Sequence, residues 1–147
     1  MGCTTNKNAL TNSTNNIPDN DKTVFNFDKN EVEIDLSNNP TEYKNFIKFC
    51  ADNTFPNLEY LNLSNNNITD LSELRVLKAP QLKKLDLSNN KLNNINILME
   101  LKYPLEELDL EGNDIDSSEF DHPFFKKFKN NEIIRKQMMS AVSTLKT

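Results

Sequence analysis

Three stretches of this chain repeat one another in phase, and that repetition limits its folds more than anything else in the sequence. LEYLNLSNNNI begins at Leu58, LKKLDLSNNKL at Leu82 and LEELDLEGNDI at Leu105. A partial copy, VEIDLSNNP, begins at Val32. The last strand leucine of each copy falls at Leu36, Leu63, Leu87 and Leu110, at intervals of 27, 24 and 23 residues. Solenoids built from a strand and a return segment have periods of about 20 to 29 residues, and a single unit of that size cannot bury its own apolar face. The units must stack.

The residues within each copy say how. Ile34/Leu36, Leu61/Leu63, Leu85/Leu87 and Leu108/Leu110 alternate at period two, so each pair points to one face of a short strand. That face is the predicted core, and the strands are expected side by side in a parallel sheet on the concave side. After each strand the chain turns against a neighbouring unit rather than against water. Asn39, Asn66, Asn90 and Asn113 are placed to supply side-chain amides to the turn's backbone groups, a structural ladder rather than a catalytic set. Leu71, Leu74 and Leu77, then Ile95, Leu98 and Leu101, predict short helices or helical turns on the convex side. Pro56, Pro80 and Pro104, 24 residues apart, stop each return segment before the next strand.

The two ends of a stack need covering. Val24 to Phe27, a turn at Asp28 to Asn30, and the strand from Val32 predict an N-terminal hairpin. Phe120, Phe124, Phe125 and Phe128, followed by Ile133, Ile134, Met138 and Val142, predict a mostly helical C-terminal cap. Residues 1–21 are polar and rich in Asn and Thr, and are expected to form a disordered tail ahead of one domain over 22–147. The expected fold is therefore an α/β right-handed solenoid of about four units with a cap at each end.

The supply of reactive groups is poor. His122 is the single histidine and lies between Asp121 and Pro123, a place for capping or solvent exposure. Cys50 ends the apolar helical run Phe46, Ile47, Phe49 and reads as buried packing, while Cys3 sits in the polar tail. With only Gly2 and Gly112 there is no glycine-rich phosphate loop. No catalytic residue, metal site or cofactor is expected. Two cysteines without regular spacing give no disulfide framework, and nothing resembles a signal peptide or a span of about 18 apolar residues. An intracellular protein, cytoplasmic or nuclear, is the expectation.

Interest moves to the strand residues that point outward. Between the core leucines the four units carry Asp35, Asn62, Asp86 and Asp109; the preceding column reads Glu33, Tyr60, Lys84 and Glu107, and the following one Ser37, Ser64, Ser88 and Glu111. Three acids in one column make a negative stripe with Tyr60 exposed near its middle. The stripe is a candidate surface for a protein partner, and the formal charge of −5 favours a basic one. The plainer alternative is that these are merely solvated strand residues.

On the three runs quoted, the chain is identified as a member of the leucine-rich-repeat superfamily of the intracellular type. PNLEYLNLSNNNI, KAPQLKKLDLSNNKL and LEELDLEGNDI, in that order and spacing, resemble the leucine-rich-repeat domain of the TAP family of nuclear mRNA-export receptors over about residues 45–128. More loosely, they are similar to the acidic nuclear phosphoproteins of the superfamily, which bind protein partners such as histones and phosphatases. The export-receptor resemblance implies RNA or export-adaptor binding, for which Lys126, Lys127 and Lys129, with Arg135 and Lys136, offer a basic C-terminal cap. The further domains of such receptors are missing from these 147 residues, which leaves an accessory factor as the alternative function. Met-Gly-Cys resembles the start of proteins acylated at Gly2 and Cys3, implying a membrane-tethered adaptor. That pattern asks for Ser or Thr at the sixth position, where the chain has Asn6.

Overall fold

The computed structural model describes residues 26–128. Four three-residue strands, β1 (Glu33–Asp35), β2 (Tyr60–Asn62), β3 (Lys84–Asp86) and β4 (Glu107–Asp109), form a single parallel sheet in chain order. Ile34, Leu61, Leu85 and Leu108 stand in register across it, and all four are buried. Helix α1 (Pro40–Cys50) follows β1, a 3₁₀ segment (Leu71–Val76) follows β2, and the single-turn helix α2 (Ile97–Glu100) follows β3. Two further 3₁₀ segments, Ser117–Asp121 and Pro123–Lys127, come after β4. The result is an α/β leucine-rich-repeat architecture with a parallel sheet and little helix.

The core explains the period. Strand leucines on one side meet Leu71, Leu74 and Leu77, then Ile95 and Leu98, from the return segments, all buried, while Leu101 is partly so. At the first-strand end, Phe27, Phe46, Phe49 and Phe55 pack at centroid distances of 5.2–5.9 Å. Phe120, Phe124, Phe125 and Phe128 form a second cluster beyond β4. Both are aromatic because rings bury large apolar area with specific edge-to-face contacts at an end where leucine layers stop.

The tight turn after each strand depends on a left-handed residue. Asn38, Asn65 and Asn89 have φ of 57°, 59° and 56°, and Gly112 takes 77° at the equivalent place. Asparagine and glycine are the residues that enter this region at least cost. The N-terminal hairpin is not what residues 26–31 form. They make a turn in which Glu31 N–H donates to Asp28 O, and Phe27 packs its ring onto α1 instead of entering a strand. Val24 and Phe25 lie outside the described residues, as do the tail 1–21 and Ile133, Ile134, Met138 and Val142. Among the described residues no helix is long and apolar enough to cross a membrane.

Candidate interaction surface

Each strand turns outward the residues on either side of its buried Ile34, Leu61, Leu85 or Leu108, and register aligns them into two rows. Glu33, Tyr60, Lys84 and Glu107 make one row; Asp35, Asn62, Asp86 and Asp109 make the other. In the second row every side chain does the same local job. The Oδ1 of Asp35, Asn62, Asp86 and Asp109 accepts the backbone N–H two residues on, at 2.9, 3.0, 3.0 and 3.1 Å. Ser37, Ser64 and Ser88 also donate their hydroxyls to that oxygen at 2.7, 2.8 and 2.7 Å. These are Asx turns closing the strand end. The serine column is therefore no outward surface: Ser64 and Ser88 are buried, because their hydroxyls turn in to brace the turn.

Tyr60 is half-buried rather than fully exposed. Its cross-strand neighbour Lys84 sets Nζ 5.0 Å from the ring centroid, and the same ammonium lies 3.4 Å from Glu107 Oε1. One aromatic face is thus covered by a cation from the next strand. Tyr60, Lys84, Asp86, Glu107 and Asp109 border a shallow groove of about 130 Å³. Burial raises the Tyr60 hydroxyl's pKa above its ordinary value, and Asp86, Asp35, Glu33 and Asp109 push it the same way. Asp109 is also raised, chiefly by burial and further by Asp86 and Glu111, against the lowering effect of the Glu111 N–H. A carboxylate whose ionisation is opposed by its neighbours gains from a cation placed beside it.

Behind the turns, the asparagine amides join successive units. Asn66 Nδ2 donates to Leu36 O and Leu63 O, Asn90 Nδ2 to Leu63 O and Leu87 O, and Asn113 Nδ2 to Leu87 O and Leu110 O, all at 2.9–3.1 Å. In return, Asn66 Oδ1 accepts from Asn39 N–H, Asn90 Oδ1 from Asn66 and Ile68 N–H, and Asn113 Oδ1 from Leu92 N–H. The Asn39 side chain takes a different part. Pro40 follows it at the first helical position, so its Oδ1 caps α1 by accepting Glu42 N–H, and its Nδ2 donates to Glu42 Oε1.

The family model of the NXF1/2/3/5 leucine-rich repeat domain matches residues 21–141. The chain belongs to this family. No curated protein matches it. Leucine-rich repeat domains of this kind are typically non-enzymatic and serve as protein-interaction modules. The remaining polar groups of this member fit structural roles. His122 Nδ1 accepts Phe124 N–H at 3.0 Å and caps the last 3₁₀ segment. Cys50 is fully buried, and burial pushes its thiol up to about 12 despite the opposing Lys78 charge. Among the described residues there is no group of three or more His, Cys, Asp or Glu placed to hold a metal ion. Lys126 and Lys127 are exposed, and the Lys127 ammonium sits over the Phe124 and Phe128 rings at 4.6 and 5.4 Å. Lys129, Gly2 and Cys3 lie outside the described residues.

Proposed function

We propose that this domain binds a basic segment of a protein partner along the strand face, with Asp86 and Asp109 pairing with its cations and Tyr60, Lys84 and Glu107 setting register. One observation carries the reading. Asn62 closes its turn with the same two hydrogen bonds as Asp35 and Asp86, so the turn itself needs an acceptor oxygen and not a charge. Three of four units nevertheless carry Asp, and at Asp109 the ionised form is held at a cost. An acidic row held by hydrogen bonds alone is stabilised by a cationic ligand.

In this reading the strand face is the concave side of a right-handed solenoid of about four units. Family membership supports an intracellular setting.

The test exploits Asn62. An Asp86→Asn/Asp109→Asn double variant keeps both turns and deletes two charges. Partners captured with the tagged chain from its native cells and identified by mass spectrometry are then compared on both proteins. Binding should weaken about tenfold at physiological salt, and less so at high salt. Unchanged affinity for every captured partner rules the strand face out. Loss of an RNA partner instead, through replacement of Lys126, Lys127 and Lys129, favours the nucleic-acid alternative.

A further inference from the structure

A second surface lies where the return segments approach the next strand. The residues before Pro56, Pro80 and Pro104 are equivalent by the 24-residue spacing: Thr54-Phe55, Lys78-Ala79 and Lys102-Tyr103. Between the first two units these segments pair. Thr54 and Lys78 form a parallel bridge, and Phe55 N–H donates to Lys78 O at 2.9 Å. Among the described residues the pairing is not repeated between Lys78 and Lys102. The side chains differ as well, because Ala79 stands where its neighbours carry Phe55 and Tyr103. Tyr103 leans back towards the smaller residue, its hydroxyl 3.0 Å from both Leu74 O and Leu77 O.

The missing ring and the missing bridge leave a broad groove of about 650 Å³. Its floor is apolar, made by Leu77, Ala79, Pro80, Leu101 and Tyr103. Its rim is basic. Lys102 is exposed, Lys78 Nζ crowns the end of α1 at 3.2 Å from Cys50 O, and Arg75 pairs with Glu100 at 2.7 Å. Three cations against one carboxylate give this groove the opposite sign to the strand face and to the chain as a whole.

We propose that this groove docks a short acidic segment of a partner protein, with one large apolar side chain on the floor and its carboxylates against Lys78 and Lys102. The volume lies within the usual range for ligand sites, about 300–1,000 Å³, and an apolar floor beneath a charged rim is how such sites separate affinity from orientation. A peptide suits it better than a nucleic acid. Four of the five floor residues are aliphatic or proline, giving bases little to stack on, and the one ring has its hydroxyl engaged by the backbone.

The proposal is independent of the strand-face reading, and its test separates the two. The full chain is titrated into a fluorescein-labelled oligoglutamate peptide bearing one phenylalanine, followed by anisotropy. Saturable binding is expected. It should weaken about tenfold in Lys102→Glu, which reverses an exposed charge. Replacing the peptide's phenylalanine with serine should weaken it as well, whereas Asp86→Asn/Asp109→Asn should leave it unchanged. Circular dichroism of Lys102→Glu confirms that the fold is kept. Absence of saturable binding, equal binding by Lys102→Glu, loss of binding in the strand-face variant, or Lys102-dependent binding of oligouridylate in place of the peptide would each overturn the proposal.

Discussion

Replacing Asn90 with alanine tests the physical claim on which the stacking rests. The side chain is buried and makes five hydrogen bonds: Nδ2 donates to Leu63 O, Leu87 O and Ser88 O, and Oδ1 accepts from Asn66 N–H and Ile68 N–H. The two sides of that amide do not count equally. Leu63 O keeps the donor from Asn66 Nδ2, Leu87 O keeps Asn113 Nδ2, and Ser88 O keeps Asn65 N–H. The carbonyls therefore stay partnered when Asn90 is cut back, and the two N–H groups lose the acceptor that Asn90 supplied. At about 1–3 kcal/mol for each buried donor left unpaired, the variant should lose roughly 2–6 kcal/mol. Against a total of about 5–15 kcal/mol this is a large fraction. For a domain of this size it corresponds to a melting point lower by roughly 10–30 °C, measured by far-ultraviolet circular dichroism with urea titration alongside. Asn39→Ala is the internal reference, because its side chain caps α1 and its loss should cost only about 1 kcal/mol. A cost for Asn90→Ala no greater than that for Asn39→Ala would refute the view that the amides, rather than the leucines alone, hold the units in register.

Two further outcomes follow from single residues. Gly112 sits at φ 77°, and a Cβ there would meet Asn89 Oδ1, so Gly112→Ala should destabilise by about 1–2 kcal/mol, part of it recovered in Gly112→Ala/Asn89→Gly; full stability of the single variant in urea would contradict the strain. Cys50 ionises near 12 in the folded chain against an ordinary 9.0, so the unfolded state loses its proton first. Stability should accordingly fall as pH rises from 9.0 towards 12, at up to about 1.4 kcal/mol per pH unit from this group, and Cys50→Ala should flatten that slope in pH-dependent urea titrations.

How legible these features were depends on whether a residue acts within its own unit or across units. Leucine positions repeat because every unit faces the same core, so period-two spacing located all four strands, although each ends one residue before the last leucine of its pair, at Leu36, Leu63, Leu87 or Leu110. The left-handed turn is written as well, in the first Asn of each Ser-Asn-Asn phrase and in Gly112, one position before the asparagines of the ladder. Asn39 carried a local signal of its own: Asn39-Pro40-Thr41-Glu42 is a capping residue, a first-turn proline and an acid at the third position, which is a helix start rather than one more rung. Burial of Ser64 and Ser88 follows from their hydroxyls turning in, an orientation that outward counting along a strand misses. The stacking of Lys84 on Tyr60 depends on register between residues 24 apart, and no pattern local to either residue encodes it. The groove was hidden for the same reason, since it arises from a difference between equivalent positions, Phe55 against Ala79, and not from any motif.

That difference bears on how charge is to be read in a repeat chain. A formal charge of −5 argues for basic partners only if the charge is spread evenly, and here it is sorted by position within the unit. The strand position collects Asp35, Asp86 and Asp109, while the position two residues before each later proline collects Lys78 and Lys102. Stacking then converts each position into a row, so two rows of opposite sign come to lie on different parts of one small domain. With a Debye length near 8 Å at physiological salt, exposed rows separated by the width of the core act largely independently. Net charge is therefore the wrong quantity for choosing partners of this domain. The sign at a given unit position, multiplied along the stack, is the quantity that a partner meets.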